Sequence, residues 1–264
     1  MLTAAALLGG FLATLLLLDA RVFAALVALV LALAAYEWGQ LAGLGRGPAG
    51  VCAAGFALGF AVLAWNRGAL GGLGDWLLAA AACFWIVLAP VWLYLGIGGA
   101  PRGLLVAAGA ALLTLAGLAA VSLPAWLLLL VLGLVWITDT AAFFAGNAFG
   151  RHRLAPSISP GKTWEGVAGA IAAALVYAIL FALPGAPLSG YVGGAGWVAY
   201  VGAVVLLCAV SILGDLFESA LKRRAGVKDS GSLLPGHGGV LDRLDSMLST
   251  LPVAAGLLHW AGKA

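Results

Sequence analysis

Residues 103–138 read GLLVAAGAALLTLAGLAAVSLPAWLLLLVLGLVWIT, a stretch that contains no charged side chain. A helix crosses the hydrocarbon layer of a membrane with about 20 residues, so this stretch is too long for one crossing. Pro124 divides it, because proline cannot continue a helix and disfavours helical backbone just before it. The stretch therefore predicts two consecutive membrane-spanning helices.

The composition of the whole chain agrees with this interpretation. Hydrophobic residues make up 64% of the 264 residues and charged residues only 9%, whereas soluble domains carry about 25% charged residues. So few charges cannot cover the surface of a soluble protein, which excludes that class. A backbone that spans lipid is helical unless it forms a closed barrel, and no barrel-like alternation is present in the sequence. The predicted fold class is all-α, a polytopic integral membrane protein.

Uncharged stretches and turn signals together predict about nine transmembrane helices. The segment 183–194, LPGAPLSGYVGG, has turn chemistry and separates the seventh helix from the eighth. The first and last helices are short, so eight full spans are the alternative. No Lys or Arg precedes the first, which favours a retained helix over a signal peptide. The predicted ranges are 2–18, 21–42, 49–65, 75–96, 102–121, 124–146, 165–183, 195–221 and 244–261.

Basic residues fall unequally on the two sides that nine helices create. The opposite side from the N-terminus would carry Arg21, Arg67 and Lys263. The side of the N-terminus would carry Arg46, Arg102, Arg151, Arg153, Lys162, Lys222, Arg223, Arg224, Lys228 and Arg243. Because cytoplasmic loops carry an excess of Lys and Arg, the N-terminus is predicted to be cytoplasmic. The expected location is the plasma or inner cell membrane.

Acidic residues divide the chain into two regions. The first 130 residues hold only Asp19, Glu37 and Asp75, and the other acids lie between Asp139 and Asp245. Charged groups in or near membrane segments are costly and usually functional. We therefore predict a scaffold in residues 1–123, with a lipid path or dimer contacts. The catalytic membrane region is predicted in residues 124–264, with loops 147–163 and 222–243 on one side.

Three carboxylates form a candidate metal site. Asp215 lies near the end of the predicted eighth helix, and Asp242 and Asp245 share a face if the last helix starts there. Unpaired, these groups would repel one another, and a divalent cation would remove the repulsion. Hard oxygen ligands of this type suit Mg²⁺, which also binds substrate phosphates. Salt bridges with the neighbouring arginines are the alternative.

Basic residues surround these acids. Acidic and basic groups together suit a metal–phosphate complex, in which Lys and Arg hold phosphate oxygens. An anchor for anionic lipid headgroups is the alternative for the basic run alone. The residues concerned are Lys222, Arg223, Arg224, Lys228 and Arg243.

The glycines of PGHGG, residues 235–239, allow backbone amides to approach an anion closely. This is not a Walker loop, because the spacing G-x-x-x-x-G-K-[ST] is absent. His237, which lies between these glycines in a charged loop, is predicted to contact the ligand.

A second motif, SPGKTWEG at residues 159–166, opens the predicted seventh helix. Ser159, Lys162 and Thr163 are donors placed before a helix N-terminus, which itself attracts anions. Capping of the helix is sufficient to explain Thr163 and Glu165, but not Lys162. Asp139, inside the sixth helix, is expected to pair with a site cation or to orient this loop.

Two stretches resemble one known family. SALKRRAGVKDSGSLLPGHGGVLDRLDS, residues 219–246, is similar to the motif of phosphatidate cytidylyltransferases, also called CDP-diacylglycerol synthases. That pattern runs S-x-x-K-R, then K-D, then P-G-H-G-G, then D-R-x-D. DTAAFFAGNAFGRHRLAPSISPGKTWEG, residues 139–166, resembles the region upstream of it. The resemblance covers roughly residues 135–250.

The resemblance implies a reaction of CTP with phosphatidic acid that gives CDP-diacylglycerol and pyrophosphate in phospholipid biosynthesis. It implies Mg²⁺ on Asp215, Asp242 and Asp245, a second, monovalent cation, and a homodimer among membrane lipids, without nucleic acid. The implied catalytic residues are Asp215, Lys222, Arg223, Lys228, Asp229, Asp242 and Arg243. The implied substrate-binding residues are Ser159, Lys162, Thr163, Glu165, Ser219, His237, Gly238 and Gly239.

Two other functions compete with this interpretation. A CTP-dependent polyprenol or lipid kinase would transfer the γ-phosphoryl group and release CDP. An ion-coupled transporter would also place acids and Pro/Gly breaks inside the membrane. Paired inverted repeats are not visible in the sequence, however, and the charge is gathered on one predicted side.

Overall fold

The protein is described by a computed structural model that covers residues 2–190, 192–194, 196–233 and 238–262, with side chains from residue 9 onward. Helices form almost all of the architecture, which confirms the predicted all-α membrane class. The helices are α1 Leu2–Leu17, α2 Ala20–Leu41, α3 Arg46–Trp65, α4 Gly72–Leu95, α5 Arg102–Ser122, α6 Ala125–Phe149, α7 Trp164–Ala182, α8 Gly196–Arg224 and α9 Asp245–Trp260.

Within the described ranges, seven helices, α2 to α8, are long and apolar enough to cross a membrane. Helices α1 and α9 have 16 residues each. At about 1.5 Å per residue they are shorter than the roughly 30 Å of hydrocarbon. The predicted number of nine crossings and the cytoplasmic N-terminus therefore stay predictions.

The helix ends follow from local chemistry. Helix α5 ends at Ser122 and α6 begins after Pro124, as the quoted stretch predicts. The side chain of Asp19 accepts a hydrogen bond of 2.7 Å from the backbone N–H of Arg21 and so caps α2. Within α4, the segment Phe84–Leu88 is a π-helical turn, and Pro90 follows it. Because proline has no N–H to donate, the ladder of hydrogen bonds shifts at this point.

A short β-hairpin between α6 and α7 was not predicted. Strand β1, Arg153–Ala155, pairs antiparallel with β2, Ser159–Thr163, and Ala155 lies opposite Ser159. The strands have 3 and 5 residues, too few for alternation to reveal them in the sequence. The hairpin gives the loop a fixed shape at the start of α7.

Helix α2 packs against α3, α5 and α8. The indole Nε1 of Trp38 donates a hydrogen bond of 2.8 Å to the carbonyl oxygen of Leu105, and its ring stacks on Phe217. A Cβ at Gly109 would overlap this indole, so the approach of α5 to α2 requires glycine. Phe217 also contacts three rings of α4, which are Phe84, Trp85 and Trp92.

We expect Gly109→Ala to lower the stability of the protein, because the added methyl group overlaps the Trp38 ring. Overpacking of this kind costs about 1–3 kcal/mol. Gly103→Ala on the same helix is the matched control, since a Cβ there meets no atom within 4 Å. Thermal unfolding in detergent would measure both variants. Equal melting temperatures would show that α5 does not press against Trp38.

The connections that follow α2, α4, α6 and α8 lie at one end of the bundle. The guanidinium Nη2 of Arg224 donates to the carbonyl oxygen of Ala100 at 2.9 Å, and Nε of Arg223 donates to that of Ile158 at 3.1 Å. At the opposite end, the His259 ring lies 2.9 Å from the Asp75 carboxylate. The two predicted polar loops therefore meet, which places the candidate site.

Candidate active site

The first group of charged residues surrounds Lys162 and is called the Lys162 cluster. Nζ of Lys162, on β2, lies 2.5 Å from Oδ2 of Asp215 on α8. Asp139 of α6 and Asp245 at the start of α9 interact electrostatically with both residues. Three carboxyl groups from three helices thus lie near one lysine, and Asp215 is the one in direct contact with it.

The hairpin and the helix start after it position Lys162. Thr163 is the N-cap of α7, and its hydroxyl accepts a hydrogen bond of 3.1 Å from the N–H of Gly166. One oxygen of Glu165 lies 2.7 Å from Nδ1 of His152. Thr163 and Glu165, both predicted to bind substrate, are thus engaged in the local structure. Lys162, on β2 directly before the cap residue, extends towards α8.

The second group centres on Lys222 and is called the Lys222 cluster. Its Nζ lies 2.5 Å from Oε2 of Glu218 and 2.6 Å from Oδ1 of Asp242. The side chains of Lys222 and Glu218 are only 12% and 1% exposed. Buried charges are costly unless paired, and here one ammonium serves two carboxylates. Lys222 therefore joins α8 to the turn before α9.

Asp242 receives three further hydrogen bonds from the loop that precedes it. Its Oδ2 accepts from the Ser230 hydroxyl at 2.9 Å, from the Ser230 N–H at 3.0 Å and from the Gly239 N–H at 2.9 Å. Partial burial acts against ionisation of Asp242, but the bonds from Lys222, Gly239 and Ser230 outweigh it and lower its pKa to about 2. Asp242 is therefore a carboxylate at neutral pH.

Glu37 is a site residue that the sequence analysis missed. It lies on α2, is 0% exposed, and receives hydrogen bonds from the same loop. Its carboxylate accepts from the Ser230 hydroxyl at 3.0 Å, from the Val240 N–H at 3.1 Å and from the Leu241 N–H at 2.8 Å. The signal was present, because one acid within an apolar helix needs partners. Its partners, however, lie about two hundred residues away along the chain.

Three backbone amides at the end of the glycine-rich loop and directly after it donate to groups of the protein itself. The N–H groups of Gly239, Val240 and Leu241 donate to Asp242 and Glu37, so the anions they approach are the protein's own carboxylates. Gly238 has a φ of 79°, which favours glycine. The predicted ligand contact of His237 lies outside the described residues.

The other predicted residues are divided among different places. The Ser219 hydroxyl lies 3.3 Å from Oδ1 of Asp215, beside the Lys162 cluster. Arg223 donates to backbone oxygens of the hairpin and of Val227. The remaining predicted residues are Ser159, which is half-buried on β2, and Lys228, Asp229 and Arg243, which are exposed.

The predicted magnesium ligands do not share one face. Helix α9 begins at Asp245, and Asp242 precedes it in the 3₁₀ turn Leu241–Arg243, so the condition for a shared helical face is not met. Among the residues that the structure describes, no group of three or more His, Cys, Asp or Glu side chains could hold a metal ion. Mg²⁺ is usually bound by one or two carboxylates with waters and substrate phosphates. Asp215 and Asp245 fit that smaller donor set.

An apolar cavity of about 580 Å³ lies beside the Lys162 cluster. Trp136 and Leu244 line it and lie next to that cluster, since Asp139 is one helical turn after Trp136 and Asp245 follows Leu244. Arg243 contributes the one charged side chain among the lining residues of the described chain. The volume of the cavity falls within the range of roughly 300–1,000 Å³ typical of small-ligand sites. Helices α1, α2, α5, α6 and α9 form its walls.

Comparison with known proteins gave one matching family and several relatives. The model of the "Cytidylyltransferase family" matches residues 1–261. The phosphatidate cytidylyltransferase of Haemophilus influenzae is 49% identical over 127 residues, which are 48% of this chain and 43% of that protein. The protein of the same name from Pseudomonas aeruginosa is 44% identical over 149 residues, 52% of this chain and 48% of that protein.

A third relative, the phosphatidate cytidylyltransferase of Bacillus subtilis, is 48% identical over 119 residues, 45% of this chain and 42% of that protein. The chain thus spans about half the length of the curated relatives that it matches.

Proposed function

Because the chain belongs to the cytidylyltransferase family, we propose that it condenses CTP with phosphatidic acid to give CDP-diacylglycerol and pyrophosphate. One observation carries the proposal. The Lys162 and Lys222 clusters lie at one end of an apolar bundle, and the apolar cavity is next to the first of them. A charged site and an apolar cavity together suit a reaction between a nucleotide and a lipid.

The proposed reaction needs electrostatic stabilisation more than it needs a strong base. A phosphate oxygen of phosphatidic acid attacks the α-phosphorus of CTP, and the bond from that phosphorus to pyrophosphate breaks. The nucleophile is already an anion, so no proton has to be removed from it. Two anionic reactants must instead approach each other, and the leaving pyrophosphate carries further charge. Positioning and charge neutralisation are therefore the main tasks of the protein.

We assign these tasks to the Lys162 cluster. Lys162 is the cation nearest to Asp215, and it would bind a phosphate oxygen when the substrates arrive. Asp215 and Asp245 would hold Mg²⁺, which when bound supplies positive charge to the phosphates of CTP. Asp139 and Ser219 lie beside this pair and would orient it. The second, monovalent cation and the homodimer come into the proposal from the family resemblance.

We assign a different task to the Lys222 cluster. Lys222 already contacts two carboxylates, so its proposed role is to hold the loop in place. The exposed cations Arg223, Lys228 and Arg243 are the proposed contacts to the outer phosphates. Asp229, Ser159, Gly238 and Gly239 complete the proposed site.

The apolar cavity supports the lipid half of the proposal. An acyl chain in the cavity would place the lipid phosphate near Arg243 and Asp245. CTP would arrive from the cytoplasm, in keeping with the basic residues predicted on that side of the cell membrane.

A direct assay tests the proposed reaction. Purified protein in detergent would receive labelled CTP, phosphatidic acid and Mg²⁺. We expect a lipid-soluble CDP-diacylglycerol and an equal amount of pyrophosphate. A phosphorylated lipid with free CDP would indicate a kinase instead. The absence of any lipid product would contradict an enzymatic role on lipids.

We expect Ala120→Phe to weaken the use of long-chain phosphatidic acid, because Ala120 lines the cavity and a phenyl ring would occupy it. Loss of burial for two methylenes costs about 1.6 kcal/mol, which is roughly a tenfold loss of kcat/KM. A short-chain phosphatidic acid should be affected much less. The matched control is Ala111→Phe, at an exposed position on the same helix. Equal losses for both lipids would exclude this cavity as the acyl-chain site.

A further inference from the structure

We propose that Glu37 is a positioning residue for the transfer reaction, and that it acts by holding residues 230–233 and 238–241, the described parts of the loop before α9, which carry the contacts of Asp242. The inference concerns a residue of the predicted scaffold region, for which no role in the site was expected. Its effect on turnover rests on the proposed function. Its effect on the loop does not, because that effect is measured without substrate.

The carboxylate of Glu37 binds two separate stretches of the loop. The carboxylate is 0% exposed, and the three described donors to it are a hydroxyl and two backbone N–H groups. A carboxylate in the interior is costly unless donors satisfy it. These bonds therefore stabilise one conformation of the loop, because both amides can reach Glu37 only when the consecutive residues Val240 and Leu241 are oriented as they are here.

A shared serine links Glu37 to Asp242. The Ser230 hydroxyl lies 3.0 Å from Oε2 of Glu37 and 2.9 Å from Oδ2 of Asp242. A hydroxyl has a single proton, so it bridges the two carboxylates by donating to one at a time. It also accepts the N–H of Asp242 at 3.2 Å. Glu37 and Asp242 therefore hold the loop from two sides through the same serine.

Two glycines of the loop lie against the side chain of Glu37. A Cβ at Gly231 would overlap the carboxylate of Glu37. A Cβ at Gly239 would overlap the Ser230 hydroxyl and approach Oε2 of Glu37 to 2.6 Å. The loop backbone therefore packs directly against the Glu37 side chain. Such close approach is possible only because both positions lack a side chain.

Glu37 lies on a part of α2 that is packed firmly against its neighbours. The next residue, Trp38, bonds to Leu105 of α5 and stacks on Phe217 of α8. Helix α8 also carries Asp215 and Lys222. Glu37 is thus attached to the same packed core as the proposed catalytic groups, and it transfers that fixed position to the loop. Sites held by a packed supporting shell keep the geometry that catalysis requires.

The test combines Glu37→Gln with hydrogen exchange and kinetics. The amide of Gln keeps the size of the side chain, but its NH₂ group would face the N–H of either Val240 or Leu241, whichever way the amide is turned. We expect exchange of the Val240 and Leu241 amides to become faster by about tenfold or more. We expect kcat to fall by about 10²-fold, as for a misplacement of roughly 1 Å, with a smaller change of KM for CTP. The neighbouring Tyr36→Phe, on a half-buried side chain of the same helix, is the control.

A second variant separates positioning from general instability. Ser230→Ala removes only the bridging hydroxyl and should reproduce part of both effects. The loss of kcat in the double variant Glu37→Gln, Ser230→Ala should be smaller than the two single losses combined, because both substitutions break one network. If Glu37→Gln does not fold, Ser230→Ala gives the same two measurements.

Unchanged exchange of the loop amides in the variants would overturn the proposal, and so would additive losses. Faster exchange of the loop amides together with a wild-type kcat would also overturn it, since loosening the loop would then have no effect on turnover. If the wild-type protein forms no CDP-diacylglycerol, the proposed function fails, whereas the exchange measurement still decides whether Glu37 holds the loop.

Discussion

Asp215→Asn is expected to reduce CDP-diacylglycerol formation by about 10³-fold, the scale of losing one strong electrostatic contact in a reaction site. Asp215 lies 2.5 Å from Lys162 and beside Asp139 and Asp245. Asparagine keeps the shape of the side chain but removes its charge. Lys162 would then lose its partner, and the donor set proposed for Mg²⁺ would lose one of two carboxylates.

The measurement is the initial rate over a range of Mg²⁺ and CTP concentrations. We expect the loss of rate to persist when Mg²⁺ and CTP are both saturating, since the substitution impairs the transfer step and not only the binding of Mg²⁺ or CTP. Melting temperature in detergent should change little, because the side chains of Lys162 and Asp215 are 21% and 32% exposed. Asp75→Asn, which removes an acid at the opposite end of the bundle, should be silent. A rate near that of the wild type for Asp215→Asn would refute the assignment of the reaction to the Lys162 cluster.

Lys222→Gln is expected to have the largest effect on stability. It removes the one ammonium that lies within 2.6 Å of both Glu218 and Asp242. Breaking a buried ion pair by removal of one partner costs about 3–5 kcal/mol, because the remaining charge stays buried. For a chain of this size the melting temperature should fall by roughly 10 °C.

Two further variants make this prediction specific. Lys228→Gln removes an exposed lysine from the same loop region and should leave the melting temperature almost unchanged. Glu218→Gln combined with Lys222→Gln should recover part of the stability, since the buried side chain at position 218 is then neutral, whereas Asp242 keeps its hydrogen bonds from Ser230 and Gly239. If the double variant is less stable than Lys222→Gln alone, the instability does not come from the buried charge.

The helices could be predicted because their signal is local. Uncharged stretches long enough to cross a membrane and breaks at proline gave helix limits close to those observed, as for 102–121 against Arg102–Ser122. The hairpin β1–β2 could not be predicted in this way. Its strands are short, and its contact with α8 runs through Arg223 and Ile158, which are 65 residues apart.

The residues of the candidate site could be predicted better than the contacts between them. The sequence analysis named Lys162, Asp215 and Asp245, which the structure brings together. It joined Asp242 to that group by spacing, whereas the 3₁₀ turn before α9 directs Asp242 to Lys222 and Ser230. Glu37 was missed because its neighbours in the sequence are apolar. Local patterns report helix faces, but they do not report which distant loop a buried carboxylate will bind.

The bonds of Glu37 also bear on how the chain assembles during synthesis. They join residues separated by 193 to 204 positions, so α2 is inserted in the membrane long before its partner loop exists. Contacts of such long range form late, since the intervening chain must first be ordered. Until then the buried carboxylate has none of the three donors described here. Helix α2 therefore reaches its final state only after Leu241 has been made, and a chain truncated before Ser230 should leave the Glu37 carboxylate without these donors and exposed to quality control.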